Sequence, residues 1–508
     1  MILWPSHPSQ LQSEQWRVFI LPKILYNNLT VTDRLAKNTL YLTLASVGQK
    51  VIAFVYFLFL ARIMMPDLTG QYFLAVSITV IFTVVADMGI TPVVIREVAK
   101  APERAKEFLS HALALKMPLI LIAMIAATAT GAGLGYDQSL QKLIMFATLV
   151  LGLDAIHLLF YGVLRGFQNL KFESIGIFMG MITTGTLGGL VLWLSPSLTL
   201  LIGALLMGSV VNLAVSGIKI VKILGWSALR PHWSRREILW IMKTALPFAL
   251  ASLFVKIYSY IDSIFISKFL DTAAVGIYSI AYKFTYAFQF LPLAFVAALY
   301  PGMSAVVGKD AAALKRIFNK AIWYMALLSA PIVLGLWAVA PEVVLLAGPE
   351  YIESTIVLQT LVFVLLPIFL DFPIGSLLNA ADRQSTKTAI MGVTMVINVV
   401  LNWFLIPEIG VLGAAYAALA SFIFMFLAGL YFVRSIIPTF SLFAFIKPVA
   451  LMYSSAGLMA VVVVLLKPHI GWIAVIPLGA VVYIAGLIVT RSIDKTDFVQ
   501  MKALFKRV

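Results

Sequence analysis

Cysteine is absent from all 508 residues. Disulfides, thiolate nucleophiles and cysteine-held metals are therefore excluded. Charge is scarce as well: Asp, Glu, Lys and Arg make up 12% of the chain against 62% apolar residues, and the mean hydropathy is +1.00. No soluble globular domain has that balance. Histidine is rare, and His7, His111, His157, His232 and His469 show no metal-ligand spacing. Gly308-Lys309-Asp310 lacks the remainder of a phosphate loop. With no local nucleophile–base pair and no large polar loop, the chain is expected not to be an enzyme and to carry no cofactor.

What the chain does have is long apolar runs. A membrane-spanning helix needs about 20 mostly apolar residues. Fourteen such stretches, from 39–63 to 470–490, fill nearly everything after residue 38. The expected fold is an all-α integral membrane protein of about fourteen transmembrane helices. The acids, 22 against 37 basic residues, leave a net charge of +15. In a membrane protein this excess follows from the positive-inside rule, and no nucleic-acid partner is expected. With the N-terminus inside, the cytoplasmic segments hold 29 Lys and Arg and the outer ones hold 4: Arg62, Lys142, Lys268 and Lys467. Both termini are then cytoplasmic, in a multi-pass protein of the cell membrane. Residues 1–37 lack a signal-peptide pattern and read as a cytoplasmic, interfacial segment.

The chain repeats itself. At a shift of 206, Ala61-Arg62 through Gly70-Gln71-Tyr72-Phe73 lies over Ser267-Lys268 through Gly276-Ile277-Tyr278-Ser279, and Lys50 falls on Lys256. At about 213, Phe160 to Asn169 matches Phe372 to Asp382, and Pro118 matches Pro331. Helices 1–6 and 7–12 are thus two copies of one unit. Six is even, so the copies run parallel, a known transporter plan. The expected division is an N-terminal segment 1–37, an N-lobe 38–222, a linker 223–239, a C-lobe 240–434, two further helices 435–491 and a basic tail 492–508. Gly176/Gly180 and Gly185/Gly189 have the small-residue spacing of close helix packing inside a bundle.

Charge inside the membrane costs roughly 2.5–3.5 kcal/mol per residue and marks function by default. Lys50, Lys116, Lys256 and Lys283 are basic; Asp87, Asp154, Asp262 and Asp371 are acidic. Lys50 and Lys256 occupy equivalent mid-membrane positions and are expected to face the pseudo-symmetry axis, where two ammonium groups suit an anion such as a pyrophosphate. Lys283 joins them as a cavity candidate. Internal ion pairing is the competing reading, and Lys116 lies shallow enough to snorkel to the inner face. Asp154, His157 and Tyr161 share one face of helix 4, continued by Arg165, a candidate proton or cation relay or a lysine partner. Asp371 sits at a similar depth in helix 10. Asp262 is expected to pair with Lys268 or to cap, and Asp87 to pair with a nearby Lys or Arg. Tyr278, Tyr282 and Tyr286 form an i, i+4, i+8 stripe, packing by preference, with Tyr282 and Tyr286 as candidate sugar-stacking residues. No metal site is expected.

Asp262-Ser263-Ile264-Phe265-Ile266-Ser267-Lys268-Phe269, then Val275 to Ala281, then Leu299-Tyr300-Pro301, together with the repeat, resemble the polysaccharide transporter branch of the multidrug/oligosaccharidyl-lipid/polysaccharide exporter superfamily. Leu378 to Arg383 is similar to that superfamily's Asn-Ala-x-Gly-Arg turn, with Asp382 in place of glycine. The resemblance covers about residues 35–490. It implies a monomeric flippase for a lipid-linked oligosaccharide, working by alternating access in cell-surface polysaccharide synthesis. Membrane lipids and a polysaccharide polymerase or glycosyltransferase are the implied partners. The alternatives are a cation-coupled multidrug exporter of the same superfamily, against which a midplane lysine in each lobe argues, and a non-transporting membrane scaffold.

Overall fold

In a bilayer, every backbone N–H and C=O must be satisfied within the protein, and helices do this segment by segment. The structure, a computed structural model, describes residues 31–493, with side chains described from 47 onward except at 293, 294, 296–298 and 444. The expected N-terminal segment lies mostly outside the described residues, as does nearly all of the basic tail. Among the described residues there is no strand.

The first half comprises α1 (Val31–Asp87), α2 (Ile90–Lys100), α3 (Ala105–Gly133), α4 (Gln138–Gly166), α5 (Lys171–Leu194) and α6 (Leu198–Leu224). The second comprises α7 (Arg235–Phe269), α8 (Thr272–Tyr286), α9 (Phe290–Val306), α10 (Ala311–Ala338), α11 (Ala340–Val344), α12 (Ser354–Leu361), α13 (Leu365–Ala380), α14 (Gln384–Ile409) and α15 (Val411–Ile436). Two more helices follow, α16 (Leu442–Ile470) and α17 (Trp472–Val489). Among the described residues, twelve helices are long and apolar enough to cross a membrane. One of these, Val47–Asp87, contains two of the expected spans: its backbone breaks at Met65, φ 63°, immediately before Pro66. The expected single span 275–300 is interrupted instead by a 3₁₀ turn at Ala287–Gln289, which divides α8 from α9. Counting these two adjustments, fourteen segments traverse the fold, which makes it a multi-pass, all-α membrane protein.

The repeat is visible in local backbone detail. After α4, Gln168 takes φ 56° and the Asn169 N–H donates to the Leu164 carbonyl at 2.9 Å. After α13, Asp382 takes φ 57° and the Arg383 N–H donates to the Leu378 carbonyl at 2.8 Å. Both are Schellman-type helix ends. Asp382, where the similar superfamily turn has glycine, holds the left-handed conformation that Asp tolerates better than most residues.

The two halves meet most closely at the face opposite the termini. A Cβ on Gly70 would lie 1.7 Å from the Thr272 carbonyl oxygen, and one on Gly276 would lie 2.0 Å from the Pro66 carbonyl oxygen. Gly70 and Gly276 are repeat equivalents, as are Pro66 and Thr272, so one contact is made twice about the pseudo-twofold axis. Thr272 also donates to Asp67, and the Tyr351 hydroxyl donates to the Ala61 carbonyl at 3.0 Å and to Thr69 Oγ1 at 2.9 Å. At the terminus-bearing face the halves meet differently, with α7 at Ala245 and Ala249 lying over Gly89.

Within the first half, Gly176 and Gly180 admit Tyr161 and Asn212 at distances a Cβ would forbid. Gly188 does the same for Tyr56, whereas Gly189 faces open space. The close-packing stripe is therefore shifted by one residue from its expected end. Lys116 does not snorkel. Its side chain is 1% exposed, and its Nζ donates to Asp87 Oδ1 at 2.6 Å and to Thr91 Oγ1 at 3.1 Å. Removing one partner of a buried pair strands the other charge. Lys116→Met is expected to destabilise the protein by about 3 kcal/mol, and Lys116→Met with Asp87→Leu by much less; thermal unfolding in detergent checks both.

Candidate functional site

Helix 1 presents two faces. Val51, Val55 and Phe59, each more than half exposed, form its outer apolar stripe. Lys50, Phe54, Phe57 and Ala61 follow i, i+4, i+7, i+11 on the other side. That side meets α8: Phe54 packs edge-on to Phe284 with centroids 4.9 Å apart, and Lys283 Nζ lies 5.0 Å from the Phe57 centroid. Lys50 is exposed on this inward face, so space opens in front of helix 1 at its level. Lys283 also lies 5.5 Å from the Phe73 ring, and Lys50 falls within its electrostatic reach. Lys256, half-buried on α7, lies 5.8 Å from the Tyr260 centroid.

An aromatic layer joins these positions. Tyr260 and Tyr282 have centroids 6.1 Å apart, Tyr282 and Phe73 5.6 Å, and Tyr282 and Tyr286 4.3 Å. The layer draws on α1, α7 and α8, so Tyr282 serves as packing between the halves, with Tyr286 stacked against it on the same helix. Lys256 and Lys283 lie over its rings, and among the described residues none of the three lysines makes an ion pair. Cation–π contact offsets part of the desolvation of Lys256 and Lys283, about 0.5–2 kcal/mol each. The remaining electrostatic demand is for an anion.

The acids are distributed otherwise. Asp154 accepts from Ser209 Oγ at 2.5 Å and contacts His157 Nε2 at 2.9 Å. His157 Nδ1 is buried without a partner. Tyr161 turns aside to Asn212, and Arg165 is paired with Glu173, so the four do not form a continuous relay. Asp371 is half-buried beside Gly429, with Lys387 folded over Gly375 one turn along the same helix. None of Asp154, His157 and Asp371 contacts the three lysines.

Asp262 corrects an expectation. It is neither a cap nor a partner of Lys268, which instead donates to the Leu134 carbonyl. The Asp262 side chain is 3% exposed and accepts from Tyr278 Oη at 2.6 Å and Asn402 Nδ2 at 2.7 Å. Asn398 and Asn402, both fully buried, stand one turn apart on α14, and among the described residues Asn402 Oδ1 has no partner. A buried carboxylate without a counter-charge is costly, and carboxylate and amide oxygens are the donors hard cations prefer. Two amides one turn apart in an otherwise apolar helix were the sequence signal for this cluster; amides carry no charge and escape a search for charged residues.

Two cavities lie elsewhere, of about 580 Å³ among α3, α4 and α6 and about 590 Å³ beside Lys309 and Arg383.

A family model described as polysaccharide biosynthesis protein matches residues 35–307, and the MatE model matches 247–404. A probable flippase, AglR of Haloferax volcanii, is 29% identical over 209 residues, which span 40% of this chain and 43% of that relative. A probable low-salt glycan biosynthesis flippase, Agl15 of the same organism, is 25% identical over 76% of this chain and 81% of its own length. The solved lipid II flippase MurJ in an inward closed conformation superposes with a TM-score of 0.72 at 16% identity, over 89% of this chain and 99% of that one. At that identity the likeness is one of fold.

Proposed function

Since the chain belongs to the polysaccharide biosynthesis protein family, we propose that it is a flippase for a lipid-linked oligosaccharide of the polyprenyl-pyrophosphate type. The observation that carries this reading is a set of three lysines without an ion pair among the described residues: Lys256 and Lys283 against the aromatic layer, and Lys50 within the field of Lys283. Two lobes, 38–222 and 240–434, rock about the pseudo-twofold axis. The glycan and its pyrophosphate cross between them while the polyprenyl tail stays in lipid. Both termini are cytoplasmic, so the Gly70–Gly276 contact closes the outer face of the cell membrane, and the lysines are reached from inside. The names of the two Haloferax relatives support a flippase, and that of Agl15 supports a glycan as its cargo. The protein acts as a transporter rather than an enzyme, alongside polymerase or glycosyltransferase partners.

Native mass spectrometry tests the cargo assignment. The purified protein in mild detergent is expected to retain an added polyprenyl-pyrophosphate sugar, and Lys50→Ala with Lys256→Ala to lose it. Saturable binding of organic cations without binding of that lipid would favour a drug exporter and overturn the reading.

The Asp262, Asn398 and Asn402 cluster is the proposed coupling-cation site. It takes precedence over Asp154, His157 and Asp371 because Asp262 is buried without a counter-charge and the Oδ1 of Asn402, whose Nδ2 donates to it, is buried without a hydrogen-bond partner among the described residues. Asp262→Asn is expected to abolish the dependence of transport on an imposed sodium gradient. Asp154→Asn is expected to retain it. Vesicle uptake with and without the gradient distinguishes them, and the opposite pattern would move the site to helix 4.

A further inference from the structure

The 580 Å³ crevice lies among α3, α4 and α6, away from the central lysines. Its wall is apolar: Leu113 and Met117 from α3, Phe160 from α4, and Leu213 and Val221 from α6. Depth comes from Gly217, where a Cβ would stand 3.7 Å from the Phe160 ring. Exposed Met117 and Ile218 put the crevice on the lipid-facing side of the bundle. At its terminus-bearing end stand Lys222, the one charged lining residue, and Trp226, 77% exposed.

Two observations make this a built site rather than a stretch of bare helix. The connection after α6 is fixed: Ala228 is fully buried, the Ser110 side chain donates to the Arg230 carbonyl, and His111 Nδ1 bonds the His232 carbonyl at 2.8 Å. Trp226 and Leu229 therefore line that end in a fixed place. Charge at the mouth is also one-sided. Lys219 lies within the field of both Lys171 and Lys222, it rests 4.1 Å from the Phe172 centroid, and among the described residues none of the three has an acidic partner.

We propose that this crevice holds a resident anionic membrane lipid, with its hydrocarbon chains against Gly217 and Phe160 and its phosphate against Lys222 and its neighbours. An apolar slot with a cationic mouth at the interface level complements a molecule that is apolar along its length and anionic at one end. The slot opens on α3, α4 and α6 rather than on α1, α7 and α8, which assigns it to a bound lipid and not to the transported one.

Fluorescence quenching tests it. The full-length protein is placed in nanodiscs of phosphatidylcholine containing brominated phosphatidylglycerol, or the same fraction of brominated phosphatidylcholine. The Trp226 signal is taken as the difference between the wild type and Trp226→Phe. Brominated phosphatidylglycerol is expected to quench Trp226 at least threefold more than brominated phosphatidylcholine. Gly217→Leu, which fills the slot, and Lys222→Glu, which inverts its mouth, are each expected to abolish that preference. Equal quenching by the two lipids, or a preference untouched by both variants, would overturn the proposal. Relief of quenching by an equimolar amount of polyprenyl phosphate would also overturn it, because the slot would then belong to the cargo.

Discussion

Gly70→Leu is expected to abolish transport while leaving the protein in the membrane. A Cβ at this position would sit 1.7 Å from the Thr272 carbonyl oxygen and 2.8 Å from the Gly276 backbone nitrogen. Both are backbone atoms of the opposing half, so no rotamer change can make room. The added side chain opposes only the arrangement in which the halves close at this face. An arrangement open here is not penalised, so folding survives and the equilibrium shifts entirely toward that state. Gly276→Leu meets the Pro66 carbonyl in the same way and is expected to give the same loss. Because the chain has no cysteine, closure can be read directly. Asp67→Cys with Thr272→Cys is expected to cross-link in the otherwise unaltered protein and to fail when Gly70→Leu is added. Normal transport of lipid-linked sugar into vesicles by Gly70→Leu would show that closure at this contact is no part of the cycle.

Lys50→Ala with Lys256→Ala carries the second large effect. Hydrogen bonds to charged groups contribute about 1.5–3 kcal/mol each. Removing two from a pyrophosphate is expected to weaken retention of the cargo by roughly two to four orders of magnitude. Transport should fall to background with unchanged membrane levels. Because neither lysine is ion-paired, stability is expected to hold or rise as the desolvated charges disappear. Lys50→Arg with Lys256→Arg should restore much of the binding, since the charge remains. Undiminished transport by the double alanine would remove the lysines from the cargo's path.

Much of this was legible because membrane folding imposes strong rules. Apolar runs of spanning length, the basic bias between segments and the 206-residue repeat are properties of composition and spacing. The pairing of Asp87 with a nearby basic residue was readable too, since two opposite charges at similar depth have few other partners. The breaks within helices were less so. Met65 adopts a strained backbone only because Pro66 must turn the chain into the contact with Gly276. The 3₁₀ turn at Ala287–Gln289 falls three residues before Pro292, a signal that marked a bend without its form.

The fate of the individual acids depended on the third dimension. Asp262 precedes Lys268 by six residues, and proximity along the chain suggested a pair. In the fold its side chain points to α8 and α14, and Lys268 reaches across to Leu134. Asp154, His157, Tyr161 and Arg165 share a helical face, yet only Asp154 and His157 meet, while Tyr161 bonds Asn212 and Arg165 pairs with Glu173, because helix periodicity states direction and not what stands there.

The sequence by itself determined that this chain is a membrane-embedded helical repeat with lysines at equivalent depth in its two copies, because bilayer thickness, helical rise and the cost of buried charge act on each segment separately. Only the tertiary structure decided which charges cancel and which remain: Lys116 with Asp87, Arg165 with Glu173, Asp262 among amides, and, among the described residues, Lys50, Lys256 and Lys283 without an ion pair, the last two against a shared aromatic layer. Pairing depends on distances between segments far apart in the chain, and those are set by glycine contacts and aromatic packing between the halves.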